Sequence, residues 1–81
     1  MIVSVTLYSY FKDLAGTPTV EIDVPPGTVL GQLHQRLMEQ FPRLAEMRKS
    51  TLIAVGVEYQ GKDYSLKPGD EVSLFPPVQG G

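Results

Sequence analysis

The sequence contains no cysteine and only one histidine, His34, among its 81 residues. Without cysteine the chain forms no disulfide, no thiolate metal site and no cysteine nucleophile. Without a second histidine it lacks the ligand pair of an ordinary zinc site. We therefore expect no bound metal or cofactor. A cysteine-free composition also fits a reducing compartment, and we expect a cytoplasmic protein.

Long apolar runs and an excess of positive charge are missing as well. No stretch of about 18 apolar residues occurs, so we expect no membrane-spanning segment. The first residues, Met1 to Val5, lack the basic leader of a signal peptide and fit a strand. Seven Lys and Arg stand against nine Asp and Glu, and the net charge is −2. Since nucleic-acid binding usually requires a basic face, we expect neither nucleic acid nor membrane as a partner.

The length of the chain limits what it can do alone. We expect one domain, and a domain of this size buries only about 60% of the surface that its unfolded chain exposes. An enclosed active site would compete with the thin core for the same residues. The length therefore favours a small carrier, binder or subunit over an enzyme that works on its own.

Short segments of alternating apolar and polar residues have the pattern of strands that bury one face. Together with one apolar run they predict four strands, over residues 2–8, 20–24, 52–57 and 71–75. Residues 59–64 predict a tight reversal, and residues 67–70, with Pro then Gly at the centre, predict a type II turn. With one helix between the second and third strands, this order predicts an α+β fold. One face of its four- or five-stranded sheet is covered by the helix, and the other stays partly open to a partner.

The main helix is predicted from an apolar stripe with spacings of three and four residues. The stripe consists of Leu30, Leu33, Leu37 and Phe41. Thr28 is the predicted N-cap, and Pro42 ends the helix. His34 lies at the edge of the stripe, where we expect a boundary histidine whose polar atoms are satisfied.

No side chain presents a convincing catalytic group. Asp70 and Glu71 follow a Pro-Gly turn, where a solvated acidic pair is expected. Gly27 and Gly31 do not form a phosphate-binding fingerprint. The remaining candidate for covalent chemistry is the C-terminal carboxylate of Gly81.

The last residues are suited to presenting that carboxylate. Pro76 and Pro77 prefer an extended polyproline conformation and end the hydrogen-bond ladder of the last strand. Gly80 and Gly81 have no side chains, so they can thread a narrow channel in another protein. Attack of the ionised carboxylate on the α-phosphate of ATP would give an acyl-adenylate, which sulfur or an amine can displace. We predict a domain over residues 1–75 and a flexible tail over residues 76–81.

The last ten residues, VSLFPPVQGG, resemble the C-terminal signature of the MoaD family, the small subunit of molybdopterin synthase. Similar stretches at residues 11–16, 26–29 and 66–72 extend the resemblance over essentially the whole chain. Two positions depart from the family pattern. Gly56 stands where the family usually has Asn, and Pro68 precedes Gly69 where the family commonly has Asp.

The resemblance implies a ubiquitin-like β-grasp fold, a mixed sheet of four to five strands with one main helix on one face. It implies that Gly81 is adenylated by a MoeB-like enzyme related to ubiquitin-activating enzymes, which uses ATP. Gly81 then becomes a thiocarboxylate at the expense of a sulfur donor. The tail would enter a MoaE-like large subunit, which supplies the catalytic residues, and pass its sulfur to cyclic pyranopterin monophosphate.

For docking we predict Phe75, Pro76, Pro77 and Val78, although Phe75 can equally close the end of the core. The basic residues Lys12, Arg43, Arg48 and Lys49 fit either an acidic partner or a solvated surface.

Two alternatives to a molybdopterin role stay open. One is another sulfur carrier, ThiS-like or serving tRNA thiolation or cysteine synthesis, although ThiS proteins are usually shorter and lack the Pro-Pro pair. The other is a ubiquitin-like protein modifier, because an acyl-adenylate serves transfer to sulfur and to lysine alike.

Overall fold

The computed structural model describes residues 1–77, so the predicted site residues Val78, Gly80 and Gly81 lie outside the described part of the chain. The strands are β1 (Ile2–Leu7), β2 (Thr19–Asp23), β3 (Leu52–Val55), β4 (Glu58–Tyr59) and β5 (Glu71–Phe75). The helices are α1 (Phe11–Ala15) and α2 (Leu30–Gln40), followed by a 3₁₀ segment (Pro42–Ser50). None of the helices within residues 1–77 has the length and apolar composition needed to cross a membrane.

The five strands form one mixed sheet in the order β2-β1-β5-β3-β4. Its central pair, β1 and β5, is parallel although the two strands lie at opposite ends of the chain. The other neighbouring strands are antiparallel. The predicted α+β fold is confirmed, with β4 as an additional short strand where the sequence predicted the start of an irregular reversal.

Strand β3 ends two residues earlier than predicted, because the chain turns there. Val55 pairs with Glu58, so Gly56 and Val57 form a two-residue hairpin loop. Gly56 has a φ of 62°, a left-handed conformation that costs about 1–2 kcal/mol for most residues with a Cβ. Asn is one of the few other residues that adopt it readily. Gly56 and the Asn that the resemblance leads us to expect at this position both suit this backbone.

The core lies between the sheet and α2. The predicted stripe is buried at Leu30, Leu33 and Leu37, while Phe41, which follows the helix, is half-buried. The sheet contributes its own fully buried side chains to the same core, among them Val3, Val5, Leu7, Val72 and Leu74. Burying one such side chain stabilises the fold by about 1.5–3 kcal/mol. Because α2 occupies one face, the core fixes which face of the sheet remains available to partners.

The start of α2 differs from the prediction. The Thr28 hydroxyl donates a hydrogen bond to the carbonyl of Pro25 at 2.7 Å, so Thr28 belongs to the preceding turn, and Val29 is the N-cap. The first two helical N–H groups donate to backbone carbonyls of the loop over residues 60–66, at 2.8 and 3.0 Å. These carbonyls satisfy donors that a helix start otherwise leaves free. Tertiary contacts thus compensate for the missing side-chain cap.

The turn before β5 has the geometry predicted for it, and it provides a first test. Asp70 N donates to the Lys67 carbonyl at 3.1 Å, and Gly69 has a φ of 87°. Gly69→Ala is expected to lower the free energy of unfolding by about 1–2 kcal/mol, because alanine is strained at this φ. Gly61→Ala is the matched control, since a Cβ there has open space and no left-handed backbone to oppose it. Urea unfolding measures both, and equal effects would contradict the assignment.

Candidate functional site

Three aromatic side chains lie together on the sheet face opposite α2. Phe75, the last residue of β5, lies between Tyr8, which follows β1, and Tyr59 of β4. The ring centroids of Tyr8 and Phe75 are 6.1 Å apart, and those of Tyr59 and Phe75 are 5.5 Å apart. Such separations are typical of attractive edge-to-face or tilted ring pairs. We call Tyr8, Tyr59 and Phe75 the aromatic cluster.

Strand register explains why Phe75 points away from the core. Val72 and Leu74 are buried beneath α2, so the alternation of β5 places Phe75 on the opposite face. Leu7 is aligned with Leu74, which brings the next residue of each strand side by side. Phe75 is half-buried in this position. The alternative that it closes the end of the core is therefore wrong.

The aromatic cluster borders a shallow depression of about 510 Å³. Its other lining residues are Ala54, Gly56, Val57 and Ser73. The exposed fractions are 50% for Tyr8, 66% for Tyr59 and 99% for Val57. Exposed apolar groups gathered in one patch mark interaction surfaces, and aromatic residues are enriched at protein interfaces. This face has the properties of a docking surface.

The tail begins beside this docking surface. Pro76 and Pro77 follow Phe75 directly and are both half-buried. A partner that binds the aromatic cluster would therefore also contact Pro76 and Pro77, where the tail begins. The other predicted tail residues, Val78, Gly80 and Gly81, are those outside the described range.

Sequence reasoning missed two members of the cluster. Tyr8 had a usable signal, because it continues the outward alternation of Ser4 and Thr6 along β1. Tyr59 had none, because β4 is too short to show a period and its pairing with β3 is a tertiary contact. The basic residues Lys12, Arg43, Arg48 and Lys49 are all exposed.

The predicted solvated acidic pair is half correct. Glu71 is exposed, but the Asp70 carboxylate accepts hydrogen bonds from the Tyr64 hydroxyl at 2.9 Å and from Lys67 N at 2.8 Å. The hydrogen bond to Asp70 raises the pKa of the Tyr64 phenol above its usual value. Asp70 thus ties the turn before β5 to the preceding loop, which is a structural role.

His34 does not match the satisfied boundary histidine that the sequence predicted. The residue is only 5% exposed, and its Nε2 is buried without a hydrogen-bond partner among residues 1–77. Burial lowers the pKa of the imidazole below its usual value, and the positive charges of Lys62 and Arg48 lower it further. The spacing from Leu30 and Leu37, four and three residues, already placed His34 on the buried side of the helix. The missing partner is visible only in the tertiary structure.

The lowered pKa of His34 predicts a pH dependence of stability. The unfolded chain binds a proton at His34 near pH 6.5, whereas the folded chain binds it only at lower pH. The free energy of unfolding should therefore decrease as the pH falls below about 6.5, and this contribution should level off below the folded-state pKa. His34→Leu is expected to flatten this part of the profile, measured by urea unfolding in buffers without phosphate. Identical pH profiles for the two chains would contradict the prediction.

Solved structures with this fold include close matches over the whole chain. SAMP1 from Haloferax volcanii superposes with a TM-score of 0.87 and 27% identity over 100% of both chains. A Pyrococcus furiosus protein assigned as subunit 1 of a molybdopterin converting factor gives a TM-score of 0.89 and 30% identity, over 96% of this chain and 99% of that one. A chain from the complex of subunits 1 and 2 of the Helicobacter pylori molybdopterin-converting factor gives 0.73 and 26%, over 100% of both chains. Sheet order, helix position and these neighbours define a ubiquitin-like β-grasp protein, as predicted.

Comparison of sequences finds relatives that match most of the chain and a family model that reaches its last residue. A human molybdopterin synthase sulfur carrier subunit is 30% identical, over 98% of this chain and 93% of that protein. Its Mycobacterium tuberculosis counterpart is 35% identical, over 80% of this chain and 78% of that protein. The ThiS family model matches residues 5–81, which include the terminal Gly-Gly. The chain belongs to the ThiS family, alongside the molybdopterin synthase sulfur carrier subunits.

Proposed function

We propose that this protein is the sulfur carrier subunit of a molybdopterin synthase and that Gly81 is the residue that carries the sulfur. The observation that carries the proposal is the position of the aromatic cluster at the base of the tail, in a chain that matches sulfur carrier subunits along nearly its whole length. A carrier of this kind needs a docking face and a reactive end that reach one partner together. Along the chain, β5 with Phe75 is followed by the Pro-Pro pair and then by Gly-Gly, so the docking face and the reactive end are only a few residues apart.

The proposed chemistry begins at the Gly81 carboxylate. One carboxylate oxygen attacks the α-phosphorus of ATP, pyrophosphate leaves, and an acyl-adenylate remains. A sulfur donor at the oxidation level of sulfide then attacks the acyl carbon and displaces AMP, which leaves a thiocarboxylate. Transfer of this sulfur to a pterin precursor regenerates the Gly81 carboxylate with an oxygen from water. ATP is thus a substrate of the activating partner, and the reaction belongs in the cytoplasm, where ATP is available.

The proposed partners supply all catalytic groups. A MoeB-like adenylyltransferase forms the acyl-adenylate, and a MoaE-like large subunit binds the pterin precursor, cyclic pyranopterin monophosphate. The Helicobacter pylori neighbour comes from a complex of subunits 1 and 2 of a molybdopterin-converting factor, which supports a large-subunit partner here. We propose that Phe75, Pro76, Pro77 and Val78 contact that subunit. This chain then contributes the sulfur atom and the docking face.

Intact-mass measurement tests the loading step. The chain is incubated with its activating enzyme, ATP and a sulfide donor, and the expected result is a mass gain equal to exchange of one oxygen for sulfur at Gly81. Omission of ATP is the matched control and should leave the mass unchanged. A second assay adds the large subunit and the pterin precursor, where molybdopterin is the expected product. Loading without molybdopterin formation would favour a ThiS-like, tRNA-thiolation or cysteine-synthesis carrier.

A protein modifier is the second candidate function, favoured by a specific structural neighbour. SAMP1 from Haloferax volcanii is a small archaeal modifier protein and matches this chain over its full length. The same acyl-adenylate would then lead to an amide bond between Gly81 and a lysine of another protein. Mass spectrometry of digested target proteins tests this role, because a modifier leaves peptides whose lysine is joined to the C-terminal glycines of this chain. A protein that acts only as a sulfur carrier produces no such peptides.

A further inference from the structure

A second depression lies at the edge of the sheet where β3 pairs with β4. It has a volume of about 180 Å³ and lies between α2, the 3₁₀ segment and the loop that follows β4. Its polar lining residues are His34, Arg48, Thr51, Tyr59, Gln60 and Lys62. Within residues 1–77, the lining contains hydrogen-bond donors and two permanent cations but no carboxylate. We call this depression the basic cleft.

The backbone holds Lys62 beside His34. The Lys62 carbonyl accepts a hydrogen bond from Gly31 N at 3.0 Å, and Gly31 lies three residues before His34 on α2. A Cβ on Gly31 would come within 3.1 Å of the Lys62 Cβ, so glycine allows this close approach. Residues three apart on a helix share a face. Lys62 is therefore positioned at the cleft by the fold.

The charges in the basic cleft are not balanced within the described part of the protein. Among residues 1–77, the only ion pair joins the N-terminal amine to Asp23, far from the cleft in the sheet order. Arg48 and Lys62 are exposed at the rim, and both disfavour a positive charge on His34. The buried Nε2 adds an unsatisfied polar atom, which native structures rarely leave without water or an ion. An anion would compensate both cations and would favour a proton on the neighbouring imidazole.

We propose that the basic cleft binds a phosphate-sized oxyanion, either free phosphate or the phosphoryl group of a small monoester. Arg48 and Lys62 donate charge-assisted hydrogen bonds to it from the rim, and the neighbouring His34 imidazole senses its charge. This site differs from the aromatic cluster, which faces the other side of the sheet, although Tyr59 borders both. The proposal does not depend on sulfur transfer.

NMR titration of the full chain tests the site. Inorganic phosphate is added at constant ionic strength near pH 6.5, and the His34 ring and the amide groups of Lys62 and Gly31 are followed. Saturable shifts confined to the cleft are expected. Arg48→Gln and Lys62→Gln should each weaken binding about tenfold, the usual effect of losing one charge-assisted hydrogen bond. Lys49→Gln is the matched control, because it removes the same charge next to Arg48 at a residue that does not line the cleft, and it should bind as the parent chain does.

A second readout separates anion binding from a structural effect. Saturating phosphate should raise the pKa of His34, because a nearby negative charge favours the imidazolium. Phenyl phosphate in place of phosphate distinguishes the two sources: equal saturation shows that an esterified phosphoryl group fits, and saturation by phosphate alone shows a site for the free ion. Shifts that chloride reproduces at the same ionic strength would overturn the proposal. So would shifts that persist unchanged in the Arg48→Gln, Lys62→Gln double variant.

Discussion

A chain that lacks Gly80 and Gly81 is expected to accept no measurable sulfur, a loss of at least about 10³-fold in loading. Each residue of extended chain spans about 3.3–3.6 Å, so the deletion shortens the reach of the tail by roughly 7 Å. A misplacement of about 1 Å at a reacting group can already cost about 10²-fold in rate. The fold should be unaffected, because the strands and helices that build the sheet and the core are formed by residues 2–75. Intact mass after incubation with the activating enzyme, ATP and a sulfide donor measures the loading.

Gly81→Ala provides the matched control for this deletion. It keeps the length of the tail and adds only one methyl group next to the reacting carboxylate. We expect it to load more slowly than the parent chain but far better than the deleted chain, because reach is preserved while clearance in the channel is reduced. Thermal unfolding should give the same midpoint for all three chains. If the deleted chain is loaded as well as the parent chain, Gly81 is not the carrier residue and the proposed function is wrong.

Phe75→Ala is expected to weaken binding of the large subunit by about 30- to 1,000-fold. Phe75 lies at the centre of the aromatic cluster, with Tyr8 and Tyr59 on its two sides. Aromatic residues at the centre of an interface commonly cost about 2–4 kcal/mol when truncated, and each 1.4 kcal/mol corresponds to tenfold in affinity. Calorimetric titration of the two subunits measures the change in Kd.

Two controls make the Phe75 result specific. Arg36→Ala changes an exposed residue of α2, on the opposite side of the sheet, and should leave the Kd within about twofold. Unfolding by urea shows whether Phe75→Ala retains the fold, as expected for a side chain outside the core between α2 and the sheet. An unchanged Kd for Phe75→Ala, or an equal loss for Arg36→Ala, would show that the partner binds elsewhere.

The local elements of this fold are readable in the sequence because each has a short-range cause. The alternation over residues 2–8 reflects a strand with one buried face, and the leucine spacing reflects one buried side of a helix. Pro68 and Gly69 mark their turn because proline presets one φ and glycine permits the other. The sequence predicts the end of an element less well where residues distant in the chain satisfy its hydrogen-bonding groups in place of a local cap. The start of α2 is the example, since loop carbonyls rather than Thr28 satisfy its N–H groups.

By itself, the sequence determined the class of fold, the covered face of the sheet and the chemistry available at the tail, because these depend on residue type and period. Only the tertiary structure decided which residues meet. The parallel pairing of β1 with β5 joins the two ends of the chain and brings Tyr8 to Phe75, and the β3–β4 hairpin adds Tyr59. The same folding places Lys62 and Arg48 near His34, whose Nε2 has no hydrogen-bond partner among residues 1–77. No periodic pattern encodes such contacts, since they arise from pairing between segments far apart in the chain.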